Sequence, residues 1–118
     1  MNNKERIEKL VLDFIDHADF EEPMKGSYRL WESIFSEEEP TMDELLELGN
    51  IGLFILTLDA CVELSHLKED MVNIEGVDKQ KALDHLDFRS QEFNIRLGKL
   101  LGELFIKVAK DRIEKCQN

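Results

Sequence analysis

Ile7, Leu10, Val11, Phe14, Ile15 and Ala18 recur three and four residues apart, with Glu5, Glu8, Lys9, Asp13 and Asp16 between them. A single apolar stripe at that period marks an amphipathic helix. Asn2 followed by Glu5 resembles a capping box, so the pattern predicts a helix from about residue 3 to about residue 19. Pro23 and Gly26 then interrupt the chain. A short second helix is expected after Ser27, with Tyr28, Trp31 and Phe35 on one line and Leu30 and Ile34 beside it. It ends in Ser36-Glu37-Glu38-Glu39-Pro40, because Pro40 disfavours helical geometry at Glu39.

Thr41-Met42-Asp43-Glu44 reads as a capping box and is the clearest helix start in the chain. From there a third helix can run unbroken to about Asn73, roughly 48 Å at 1.5 Å per residue. Gly49 and Gly52 are the places where it would kink or divide, since a glycine costs about 1 kcal/mol inside a helix. Asn73 to Asp78, with Gly76 inside, makes a tight connection, and Asp78 is a suitable N-cap for a last helix reaching about Lys115. Leu83, Leu86, Phe93, Leu97, Leu100, Leu104 and Val108 trace a near-heptad seam along it. Long helices joined by short connections pack as antiparallel neighbours. The expected fold is therefore all-α, one domain over residues 1–118, an antiparallel up-and-down bundle of four main helices, one short and two long.

The last helix carries a second line as well: Ile95, Gly98, Gly102, Phe105 and Ala109. It admits two uses, close packing against the first or third helix of the same chain, or a homodimer interface. Burial in a dimer would add to the modest core of so short a chain.

The chain has 118 residues, 42% hydrophobic and 35% charged, a balance that suits one soluble domain and excludes a disordered tail. The most apolar segment, Leu48 to Val62, contains Asn50 and Asp59 and is short for a bilayer, so it is expected to be a core helix. Lys4 and Arg6 could open a signal peptide, but Asp13 and Asp16 interrupt the apolar stretch behind them. The expected location is cytoplasmic, the host cytoplasm if the chain is viral. Two cysteines cannot build a disulfide framework. Cys61 reads as a small buried hydrophobe and Cys116 as an exposed thiol.

Charge changes the picture most. Asp and Glu number 26 against 15 Lys and Arg, a net charge of −11. Such a balance argues against direct binding of nucleic acid or an anionic membrane, which requires a basic face. Residues 1–47 hold 14 acidic and 5 basic side chains, while residues 48–118 hold 12 and 10. The excess admits a merely solvated face or a surface that steers toward a basic protein partner. The candidate partner-binding residues are Asp16, Asp19, Glu21, Glu22, Glu37, Glu38, Glu39 and Asp43.

Groups for covalent chemistry are sparse. Glu63 and His66 have the Glu-x-x-His spacing of di-iron bundles, but only one copy is present, and with Asp59 and Asp70 they form the polar stripe of the third helix. His17 near Asp13, and His85 between Asp84 and Asp87, read as surface residues. No Gly-rich phosphate loop, Ser/His/Asp set or Cys/His zinc pattern occurs, so no catalytic, cofactor or metal residue is assigned.

One stretch, Glu47-Leu48-Gly49-Asn50-Ile51-Gly52-Leu53-Phe54, resembles the second metal motif of MazG-like nucleotide pyrophosphohydrolases, which reads Glu-Leu-Gly-Asp ahead of an apolar helix. The resemblance implies a small all-α fold that often dimerises, in which clustered carboxylates hold Mg²⁺ over a triphosphate, with Glu44 and Glu47 as the ligands here. Asn50 stands where that family carries an aspartate, and the preceding helix offers only Glu32 instead of a Glu-x-x-Glu pair. The expected function is a small acidic non-enzymatic binding or regulatory protein, inhibitor or adaptor, that engages a basic protein partner. The alternatives are a MazG-like enzyme or a degenerate relative of it, and a structural homo-oligomer.

Overall fold

Asn2 starts the first helix as the sequence predicts: its side-chain oxygen accepts the Glu5 backbone N–H at 2.8 Å. The computed structural model describes residues 2–17, 26–76 and 78–117. Within them the chain forms five α-helices and no strand: α1 (Asn3–His17), α2 (Ser27–Phe35), α3 (Met42–Glu47), α4 (Asn50–Met71) and α5 (Lys79–Gln117). The fold is all-α. The expected extension of α1 through Ala18 and Asp19 lies outside the described residues.

On α1 the predicted stripe supplies the buried Ile7, Val11 and Ile15, with Leu10 and Phe14 partly buried beside them. The second helix begins after Gly26, whose φ of +86° is a left-handed conformation that glycine adopts without strain. Its apolar face differs from the expected one. Leu30 and Ile34 are buried, whereas Tyr28 is 53% exposed and Trp31 and Phe35 are only partly covered. The aromatic line therefore forms the rim of the core, and the aliphatic pair forms its floor.

The third helix of the prediction is two helices. Gly49 has φ +60° and ψ −124°, outside any helical region, so the chain turns there and α4 begins afresh at Asn50. Gly52 then lets α4 cross α3 at backbone contact: a Cβ at position 52 would lie 1.7 Å from the carbonyl oxygen of Leu45. This close approach explains why the division falls where it does, and it raises the helix count from four to five. At α5 the predicted cap holds, with Asp78 Oδ1 accepting the Lys81 backbone N–H at 3.3 Å.

Helices α4 and α5 form an antiparallel hairpin, with the most extensive contact between any two elements. Lys68 pairs with Asp87 near its closed end. At its open end Ile51 and Leu104 line one small cavity. Phe54, Ile55 and Leu58 of α4 meet Leu97, Leu101 and Leu104 of α5, and α1 and α2 close over them. Beyond the most apolar segment, which ends at Val62, α4 runs on through Glu63, Ser65 and His66 to Met71. By length and composition the 22-residue helix is long and apolar enough to cross a membrane. Here its Phe54, Ile55, Leu58, Cys61 and Val62 supply much of the core. The 39 residues of α5 span about 58 Å at 1.5 Å per residue, and the molecule measures 64 × 31 × 21 Å.

Candidate functional site

The residues that organise the acidic end sit on α1 and reach across to α2 and α3. The last carbonyls of a helix have no partner within it and attract cations. Arg6 supplies one at the end of α2. Its Nη1 donates to Ser33 O at 3.1 Å, and its Nη2 donates to Ile34 O at 3.1 Å and to Glu38 O at 2.9 Å. Asn3 Oδ1 steadies the same guanidinium at 2.7 Å and 3.1 Å, and Glu37 lies 3.6 Å away. A planar fork of five donors is suited to gathering several carbonyls at once. Pro40 is buried behind this turn.

The next helix is fixed as firmly. Thr41 and Glu44 make the full capping box: Thr41 Oγ1 accepts from Glu44 N at 3.2 Å, and Glu44 Oε1 accepts from Thr41 N at 3.0 Å. Asn3 Nδ2 adds a second hydrogen bond to that carboxylate at 3.3 Å, and Lys4 pairs with Glu47. Between these anchors Glu37, Glu38, Glu39 and Asp43 are all exposed. The backbone that carries them is held by Arg6 and the cap; Glu37 also pairs with Arg6, while Glu38, Glu39 and Asp43 face solvent.

Two titrations result from these contacts. The Thr41 backbone N–H holds the Glu44 carboxyl below its ordinary range, and hydrogen bonding to Glu47 raises Lys4 above its own. A lowered carboxylate contributes stability above its unfolded pKa and loses it as pH falls through the folded one; a raised lysine loses its contribution only as pH rises through the folded value. The urea midpoint is therefore expected to drop on acidification below about pH 4, the ordinary glutamate value. Glu44→Gln, which keeps an acceptor without the titration, should flatten part of that drop. An identical acid profile for the variant would remove Glu44 from this role.

The other predicted residues do not join this end. Asp16 lies ten positions beyond Arg6 on α1, about 15 Å along the axis, and pairs with Arg112 of α5. It borders a groove of about 570 Å³ whose lining mixes Glu8, Lys9, Asp13 and Lys115. Asp19, Glu21 and Glu22 lie outside the described residues. On the second line of α5, Ile95 is 75% exposed, Ala109 is exposed, and Phe105 is packed against its own core.

A site that the sequence pattern does not single out lies between α2, α4 and α5. Tyr28, Trp31 and Phe35 form an aromatic ladder with ring centroids 5.5 Å and 5.7 Å apart. Trp31 Nε1 donates to Asp59 Oδ1 at 2.8 Å, and His66 meets the indole edge-on at 6.0 Å. Beside the ladder opens a cavity of about 630 Å³, with Cys61, Val62 and Leu97 for a floor and Ser65, His66 and Asn94 at its rim. The seven-residue spacing of Asp59 and His66 on α4 is the signal that places them together under one indole. Burial pushes the Cys61 thiol up, which keeps it protonated and unreactive. Cys116 is exposed.

Among the described residues no three His, Cys, Asp or Glu side chains converge in a way that could hold a metal ion. Glu44 and Glu47, the candidate ligands of the MazG-like resemblance, are taken up by Asn3, Thr41 and Lys4. The Gly49 and Gly52 of that motif form the turn and the crossing between α3 and α4. No family model, no curated protein and no solved structure matches this chain.

Proposed function

We propose that the chain is a non-enzymatic binding protein whose acidic end, the α2–α3 turn with the start of α3, docks on a basic surface of a protein partner and acts as an inhibitor or adaptor by covering that surface. The observation that carries this reading is the division of labour around Arg6. Arg6 donates to the carbonyls of Ser33, Ile34 and Glu38 and pairs with Glu37 at 3.6 Å, so the turn is held in place while Glu38, Glu39 and Asp43 stand exposed beside it. A surface ordered before binding loses less conformational entropy on association. Clustered like charge speeds the encounter with an oppositely charged face and screens away with salt. Neither step needs covalent chemistry.

The test is capture of partners by the tagged chain from its native lysate, eluted with a salt gradient, beside the variant Glu37→Lys/Glu38→Lys/Glu39→Lys. A specific partner should leave the wild type at moderate salt and fail to be retained by the variant. Retention at the same salt by both proteins would sink the assignment of this end.

A further inference from the structure

We infer that the outward face of α5 is a self-complementary interface that joins two copies of the chain through an antiparallel α5–α5 contact. The helix is two-faced. Leu97, Leu101 and Leu104 are buried, and on the opposite side Phe88, Ile95, Ile106 and Ile113 are 58%, 75%, 58% and 58% exposed. Steps of seven, eleven and seven residues at 3.6 per turn keep these four on one outward line about 38 Å long. Gly98 and Gly102 lie along its edge. A Cβ at either would meet nothing within 4 Å, so neither glycine serves a close approach inside its own chain. Each nevertheless weakens the middle of a 39-residue helix by about 1 kcal/mol relative to alanine.

The order of residues along the line names the occupant. The spacing of its apolar positions is symmetric about a point between Leu100 and Leu101. A two-fold axis there sets Ile95 against the partner's Ile106, Phe88 against the partner's Ile113, and Gly98 beside the partner's Gly102, where the backbones can draw close. In an antiparallel pair each flank meets its own equivalent. On the charged flank this sets Glu92 near the partner's Lys110, and Lys99 near the partner's Glu103. These charges each meet their opposite, and each contact occurs twice.

Net charge points to the same helix. Residues 79–117 hold nine basic and six acidic side chains, whereas the rest of the chain holds six and twenty. Two copies repel over most of their surfaces, and α5 is where that excess of negative charge is missing. The interface lies apart from the Glu37–Asp43 end, so the pairing stands whether or not that end binds a partner.

Sedimentation equilibrium of the full chain across micromolar to several hundred micromolar concentrations tests this. The wild type should have the mass of a dimer. Ile95→Glu/Ile106→Glu should sediment as a monomer with unchanged helical circular dichroism, because both positions are exposed. Lys99→Glu should weaken association at least tenfold, and Lys99→Glu/Glu103→Lys should restore it. A wild type that stays monomeric at the highest concentration would overturn the proposal. A dimer indifferent to Ile95→Glu/Ile106→Glu would overturn the assigned face, and failure of the charge exchange to restore pairing would overturn the antiparallel register.

Discussion

Gly52→Ala is expected to destabilise the protein by about 3 kcal/mol or more, the upper range of overpacking, although the same change stabilises an ordinary helix by about 1 kcal/mol. The two effects have opposite signs, so the direction alone decides which dominates. An added Cβ would stand 1.7 Å from Leu45 O, 2.6 Å from Leu45 C and 3.1 Å from Leu45 Cα. These are main-chain atoms, and no side-chain rotation relieves them. Relief requires α3 to lift off α4. That movement uncovers Leu45, now 4% exposed, and pulls on the Lys4–Glu47 pair and the Asn3–Glu44 hydrogen bond that tie α3 to α1. Urea unfolding should show the loss, and Tm should fall by roughly 10 °C for a domain of this size. Gly98→Ala provides the comparison: with open space around it, unfolding at a concentration low enough to keep the chain monomeric should show no loss. Wild-type stability in Gly52→Ala would mean that α3 is not seated on α4 as described.

The same contact shows how far the sequence reaches. Thr41 and Glu44 were legible because a capping box is closed within four residues and needs nothing from the rest of the chain. The α1 stripe and the Leu97–Leu104 seam were legible for a similar reason, since periodicity reports which side of a helix is covered. Gly49 and Gly52 marked a weak point in the helix. Its division into α3 and α4 depends on a backbone crossing at Leu45, which no local pattern contains. The periodicity of α2 set Tyr28, Trp31 and Phe35 beside Leu30 and Ile34 without saying which line is covered; Trp31 settles at the rim because its indole N–H needs a polar partner and finds Asp59. The acidic residues were plain in composition, but their grouping was not. Asp16 belongs to the far end of α1, and Arg6, one of three cations in the first turns of α1, holds the α2–α3 turn through its carbonyls.

Phe54→Ala is expected to cost about 3–5 kcal/mol, the usual range for removing a buried aromatic ring, out of a total that for single domains is about 5–15 kcal/mol. Phe54 is fully buried and is the largest such side chain in the core. Its ring stacks on Phe14 of α1 at 6.4 Å between centroids, so the cavity left by the change opens directly beneath α1. Loosening α1 has a consequence beyond stability, because α1 carries Arg6. Without that guanidinium in place the carbonyls of Ser33, Ile34 and Glu38 lose their donor, and the acidic turn loses its order. Two measurements should therefore move together: the urea midpoint, and hydrogen exchange of the Ser36 amide, which donates to Glu32 O at 2.9 Å in the intact helix end. Phe54→Leu, which refills most of the volume, should recover the larger part of both. A loss in Phe54→Ala of less than about 1.5 kcal/mol, below the range for truncating a buried ring, would show that α1 is anchored elsewhere. A full loss of stability with unchanged Ser36 protection in the folded state would separate the core from the acidic end.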